Sequence, residues 1–127
     1  MITATVYFGV PPGKVYEALM DEKIHSVITG SKATIDNRIG GKFSVWDGYA
    51  IGKTIDLELD KKIVQTWRAS DWSKGVTSTV TIEFFSEKNG TKLEFLQENI
   101  PKECEKDIKE GWREYYWEPM KKYFENK

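Results

Sequence analysis

Residues 102–124 constrain this chain more than any other stretch. Wound at about 100° per residue, Ile108, Trp112, Tyr115, Tyr116, Pro119, Met120 and Tyr123 fall on one side of a helix. Lys106, Asp107, Glu110, Arg113, Glu114, Glu118 and Lys121 take the opposite side. Such a helix is about 34 Å long, the width of a small domain. With so heavy an aromatic face it draws its stability from packing rather than from propensity. The rest of the chain must therefore present a broad apolar surface to receive it. Pro119 deletes the hydrogen bond to the Tyr115 carbonyl and predicts a kink within this helix.

The preceding residues supply that surface with period two. Ala4, Val6 and Phe8 share one face of a first strand, which Gly9 and Val10-Pro11-Pro12 close. Proline is tolerated in a first helical turn, so a short helix follows, burying Val15, Ala18 and Leu19 and ending near Met20. Asp21 is placed to cap a second short helix carrying Ile24, Val27 and Ile28, broken at Gly30. Strands then follow through Ala33 and Ile35, Phe43 and Val45, Ile55, Leu57 and Leu59, Ile63 to Ala69, Val80 to Phe84, and Leu93 to Gln97. Gly40-Gly41 marks a bend and Gly52 a bulge. Asp47-Gly48 and Asn89-Gly90 read as hairpin turns. Consecutive hairpins make the sheet antiparallel, with one face wet and one covered. The expectation is one α+β domain over residues 1–127 with a helix-grip arrangement. In it a curved antiparallel sheet of about six to seven strands wraps around the long C-terminal helix, with two short helices after the first strand.

Charge and composition exclude several classes. Nineteen basic and twenty acidic residues are interleaved to a net charge of −1, with no basic run to neutralise phosphates. Nucleic-acid binding is not expected. No apolar run approaches the roughly 20 residues a membrane helix needs, and Met1 leads directly into a strand rather than a signal peptide. A single cysteine, Cys104, excludes an internal disulfide and suits a reducing compartment, so a cytoplasmic location is expected.

Several motifs carry a family resemblance. Ile39-Gly40-Gly41-Lys42-Phe43, Trp46-Asp47-Gly48-Tyr49, Gln65-Thr66-Trp67-Arg68, Ser78-Thr79-Val80-Thr81 and Gly111-Trp112-Arg113-Glu114-Tyr115-Tyr116-Trp117 stand in that order. Together they resemble the domain homologous to the C-terminal part of the activator of heat-shock protein 90 ATPase. That group belongs to the superfamily of lipid-transfer domains, the birch-pollen allergen and polyketide cyclases. The resemblance spans nearly the whole chain and implies the helix-grip fold, independently of periodicity. It implies a co-chaperone role in the stress response, with a heat-shock protein 90-type chaperone as partner. The activator itself carries a further N-terminal domain, whereas this chain starts directly at the part resembled.

Two arrangements are open for the inward residues Phe43, Gln65, Trp67, Phe84, Phe95, Gln97, Trp112, Tyr116 and Met120. They line a cavity for a small apolar ligand, with Gln65 and Gln97 orienting it. Alternatively, the same rings fill the space as core. Trp72, in a loop, and Trp117, flanked by Arg113 and Lys121, are candidates for a partner-binding hot spot. The alternative for Trp117 is packing beneath the short helices or a strand. His25, the only histidine, is expected on the surface of its helix. Cys104 sits at a helix start, where a thiol pKa can fall, but it lacks a partner base and reads as structural. No cofactor or metal set is expected, since His25 and Cys104 cannot close a zinc site. Asp36, Arg38, Arg68 and Asp71 are either a polar cluster at a pocket mouth or scattered surface charge. Gln65 and Gln97 do not titrate, which argues against acid–base catalysis, so the expectation is a non-enzymatic binding domain.

Overall fold

A computed structural model describes residues 1–125. The strands are β1 (Ile2–Phe8), β2 (Thr34–Ile35), β3 (Lys42–Val45), β4 (Ala50–Glu58), β5 (Lys62–Ala69), β6 (Ser78–Glu87) and β7 (Gly90–Glu98). They form one antiparallel sheet in the order β1-β7-β6-β5-β4-β3-β2. β1 and β2 thus lie at opposite edges, and α1 (Pro12–Met20) and α2 (Glu22–Thr29) carry the chain between them. The C-terminal helical run opens with a 3₁₀ turn (Lys102–Cys104). It continues as α3 (Glu105–Trp112), a π turn (Arg113–Trp117) and α4 (Glu118–Glu125). A seven-stranded antiparallel sheet with a long C-terminal helix is the helix-grip α+β architecture that the alternating strands imply.

The covered face of the sheet carries Ile63, Trp67 and Ala69 from β5, Val80, Ile82 and Phe84 from β6, and Leu93, Phe95 and Gln97 from β7, all buried. Against them pack Val15, Leu19 and Met20 of α1 and Ile108, Trp112, Tyr116 and Met120 of the C-terminal run. Asp21 caps α2 by accepting from the backbone N–H groups of Lys23 and Ile24, and Gly30 ends it in left-handed geometry with φ 73°.

The C-terminal helix departs from simple α periodicity in an informative way. Pro119 has no N–H to give to Tyr115, and the strain is absorbed as a π turn over the residues just before it. In i→i+5 geometry, residues five apart come into line. Trp117 therefore stacks on Trp112, centroids 5.4 Å apart and planes 20° apart, and is buried. Tyr115, expected on the apolar side, is instead 51% exposed.

Other local expectations shift by one position. Trp46 and Asp47 take φ of 56° and 54°, and the Gly48 N–H bonds the Val45 carbonyl, so that tight turn centres on Trp46-Asp47. At the second hairpin Gly90 pairs with Glu87 inside the ladder, and Lys88-Asn89 make the turn. The glycine is needed there for close approach, because a Cβ would lie 2.1 Å from the Phe8 carbonyl oxygen. The irregularity in β4 lies between Thr54 and Asp56 rather than at Gly52, which buries Thr54 and leaves Ile55 and Leu59 exposed. In α2 the buried residue is His25, while Val27 faces out.

Candidate functional site

The interior between sheet and helix is filled. The void inside it measures about 20 Å³, enough for one water, and its lining includes Phe43, Gln65, Trp67, Trp112 and Tyr116. An open cleft of about 350 Å³ lies beside it, where the β3–β4 turn meets α3 and the π turn. Its walls are Trp46, Tyr49, Trp67, Asp107, Ile108, Gly111, Trp112, Tyr115 and Tyr116.

The rings of this cleft form one connected series. Tyr115 meets Trp46 at 5.1 Å, Trp46 meets Tyr116 at 5.8 Å, and Tyr116 meets Trp112 at 4.5 Å. Trp112 meets Trp67 at 6.1 Å and Trp67 meets Tyr49 at 6.4 Å. Most of these contacts are edge-on or tilted, as ring quadrupoles prefer. The Trp46 conformation is a local strain, since a bulky residue at positive φ is disfavoured. It is held by the indole N–H donating to the Tyr116 hydroxyl at 3.0 Å.

Polar groups behind the rings are internally satisfied. Gln97, fully buried, donates to the Ser78 hydroxyl and accepts from the Trp112 indole N–H, each at 2.9 Å. It therefore fixes Trp112, and being fully buried it faces neither the void nor the cleft. Gln65 gives its amide N–H to Thr54 Oγ1 at 3.3 Å. His25, contrary to its expected surface position, is buried between the Leu19 carbonyl at 3.1 Å and the Tyr116 hydroxyl at 3.0 Å. Burial pushes its pKa below the ordinary histidine value, an effect only partly offset by the bond to Leu19. Burial likewise raises the Tyr116 phenol, so it stays neutral.

Of the nine residues expected to line a cavity, Trp67, Trp112 and Tyr116 reach the open cleft, and Phe43 and Gln65 join them around the small void. Phe84 packs edge-on to Tyr16 at 5.8 Å, and Phe95 sits 4.6 Å from Trp112. With Gln97 and Met120 they line neither space, because the rings interdigitate completely there.

Both tryptophans considered for a partner surface are buried, Trp117 in the packed arrangement that was its alternative. Trp72 is buried edge-on to Trp67 at 5.5 Å, and Trp117 lies against Trp112 and Phe95. Arg113 does face solvent, held by Glu110 at 2.8 Å and Glu118 at 3.0 Å.

Arg68 lies away from the aromatic cleft, in a separate open groove with Lys42, Ile51, Lys53 and Thr66. Its guanidinium donates to the carbonyls of Trp72, Ser73 and Val76 and pins the loop after β5. Asp36 and Arg38 pair with each other at the surface. The Cys104 thiol is pushed up rather than down, by desolvation and then by Glu103, Asp71 and Asp107. Among the described residues, no three of His, Cys, Asp and Glu gather as a metal set, and no helix is long and apolar enough to cross a membrane.

Trp46, Tyr49, Asp107, Ile108, Gly111 and Tyr115 are the cleft residues that sequence reasoning missed. The available signal was Trp46-Asp47-Gly48-Tyr49, a turn sequence carrying two aromatic residues that its geometry does not need.

A sheet gripping a C-terminal helix, with an aromatic cleft where the two diverge, defines a helix-grip α+β protein. The chain belongs to the family described as "Activator of Hsp90 ATPase homolog 1-like protein", which it matches over residues 9–125. It is 32% identical over 123 residues to a human protein named "Activator of 90 kDa heat shock protein ATPase homolog 1", an alignment covering 97% of this chain and 36% of the human one. A Dictyostelium discoideum homologue of that activator is 36% identical over 118 residues, covering 92% of this chain and 31% of its own. The chain thus spans about a third of the length of these relatives. Among solved structures, one described as an HSP90 activator from Plasmodium falciparum superposes with a TM-score of 0.85 at 33% identity. That match covers 91% of this chain and 89% of the other.

Proposed function

We propose that this chain is a non-enzymatic, cytoplasmic binding domain that contacts an Hsp90-type chaperone and acts as a co-chaperone in the stress response. The Plasmodium falciparum likeness carries this reading, because a chain matched over nearly its whole length is there described as an HSP90 activator. The contact belongs to exposed side chains. Arg113 is the one residue of the expected partner trio that presents itself to solvent. The test is calorimetric titration of the purified chain into the full-length Hsp90-type chaperone of its own host, with ATP turnover followed in parallel. Saturable association with faster turnover is expected. No association in either the nucleotide-free or the nucleotide-bound state overturns the reading.

A second reading rests on the cleft of about 350 Å³, whose apolar walls and few polar groups suit a small molecule. Native mass spectrometry of the chain purified gently from its host tests it. A reproducible small adduct supports a carrier or sensor role, and a bare chain opposes it.

A further inference from the structure

The cleft is kept open against the local preferences of the chain. Gly111 lies in α3, where glycine is about 1 kcal/mol less favourable than alanine. A Cβ there would meet nothing nearer than Tyr115 Cδ2 at 3.8 Å, so packing does not require the glycine. Trp46, across the cleft, holds its strained positive φ. Two unfavourable choices therefore meet at one space, as happens where a site is retained for use.

The lining offers π surface and negative charge but few donors. The indole N–H of Trp46 is committed to Tyr116, and that of Trp112 to Gln97. The Tyr116 hydroxyl is spent between Trp46 and His25. These inner donors are already used, and the lining's other donors are the Tyr49 and Tyr115 hydroxyls and the Trp67 indole. Among the described residues, Asp107 is the only charged one of the lining, and no Lys or Arg joins it. Asp71 and Asp107 both act on the neighbouring Tyr49 phenol, and Glu103 acts beside them on Cys104.

We infer that the cleft binds a compact organic cation of the alkylated ammonium type, its charge held against the aromatic walls and balanced by Asp107 at the rim. Such a cation needs no hydrogen-bond donor from the protein and gains from ring quadrupoles as a neutral molecule of the same shape does not. The inference deepens the second reading above, and rests on the cleft being a ligand site.

The test titrates the full chain with benzyltrimethylammonium and with neopentylbenzene, its neutral isostere in which carbon replaces nitrogen. Binding is read by tryptophan fluorescence and by two-dimensional NMR. The cation is expected to bind about tenfold more tightly than the isostere. Asp107→Asn should weaken the cation several-fold and leave the isostere unchanged. Gly111→Leu, which fills the cleft and improves the helix, should abolish binding of both while the chain stays folded. Equal binding of the two probes overturns the cation inference and leaves the ligand-site reading standing. No binding of either at millimolar concentration overturns both. Binding that survives Gly111→Leu removes the site from this cleft.

Discussion

The Tyr116 hydroxyl and His25 Nε2 lie 3.0 Å apart, buried, although 91 residues separate them in the chain. The Leu19 carbonyl only accepts, so His25 Nδ1 carries the proton and Nε2 receives the Tyr116 O–H. The Tyr116 oxygen in turn accepts from the Trp46 indole. A single chain of bonds thus runs from the cleft wall to the junction of α1 and α2, and it requires a neutral imidazole.

Stability should therefore fall as pH drops through the ordinary histidine range. The unfolded chain takes up a proton near pH 6.5, whereas the folded chain resists it because burial lowers the His25 pKa. With more protons bound to the unfolded state, stability rises with pH across that window. The contribution is complete above pH 6.5 and is lost progressively below it. Among the described residues, no charged side chain lines the spaces around the ring to offset this. Urea midpoints at pH 7.5 and 5.5 check it: the wild type should lose stability and His25→Gln should change much less. Equal losses in both would remove His25 as the cause.

Tyr116→Phe removes the one oxygen that serves both Trp46 and His25. A buried histidine nitrogen and a part-buried indole N–H then lose their partner, and the expected destabilisation is about 1–3 kcal/mol. The near-ultraviolet circular dichroism of the tryptophans should change with it, since Trp46 loses the bond that holds its strained turn. A urea midpoint shift equivalent to less than about 0.5 kcal/mol would show that the hydroxyl is not structural.

The architecture was legible in the chain because it rests on periodicity. Alternation in β5, β6 and β7 and the aromatic stripe near the C-terminus each specify a face. The site was less legible because it depends on breaks in those periods. Trp117 looks peripheral at α spacing and becomes core through a π turn that propensity does not encode. Gln97 reads as a ligand-facing amide until its partners, Ser78 and Trp112, are brought beside it by pairing across the sheet. His25 reads as a surface residue because its two partners come from other elements. The cleft is made by a strained turn and an unfilled helix position, neither of which leaves a periodic trace.

Gly52 offers a sharp test of the sheet. A Cβ at this position would lie 1.9 Å from the Thr66 carbonyl oxygen and 2.6 Å from the Phe43 ring. Neither can retreat, because Thr66 is in β5 and Phe43 is buried in β3. Gly52→Ala should therefore destabilise the protein by roughly 3 kcal/mol through overpacking. At Gly9, where an added Cβ meets nothing within 4 Å, the same change should be close to neutral. Thermal midpoints of the two variants should separate widely, and similar midpoints would show that β4 and β5 can shift apart.

Arg68 should govern access to the loop after β5. Its guanidinium holds the carbonyls of Ser73 and Val76 at 2.8 Å and of Trp72 at 2.9 Å, and Lys74 lies between them in sequence. Arg68→Met keeps the apolar stem and loses three charge-assisted bonds, each worth about 1.5–3 kcal/mol against an unmade partner. The remaining ties, Ser70 to Tyr49, Trp72 to Ala69 and Val76 to Ser73, join backbone to backbone and persist. Local opening should therefore increase without global unfolding. Trypsin cleavage after Lys74 under native conditions should accelerate at least about tenfold, the factor that 1.4 kcal/mol of opening free energy gives. Because Trp72 packs on Trp67, a wall of the cleft, its fluorescence should shift in the same variant. Unchanged cleavage with unchanged fluorescence would mean that the backbone bonds alone hold this loop.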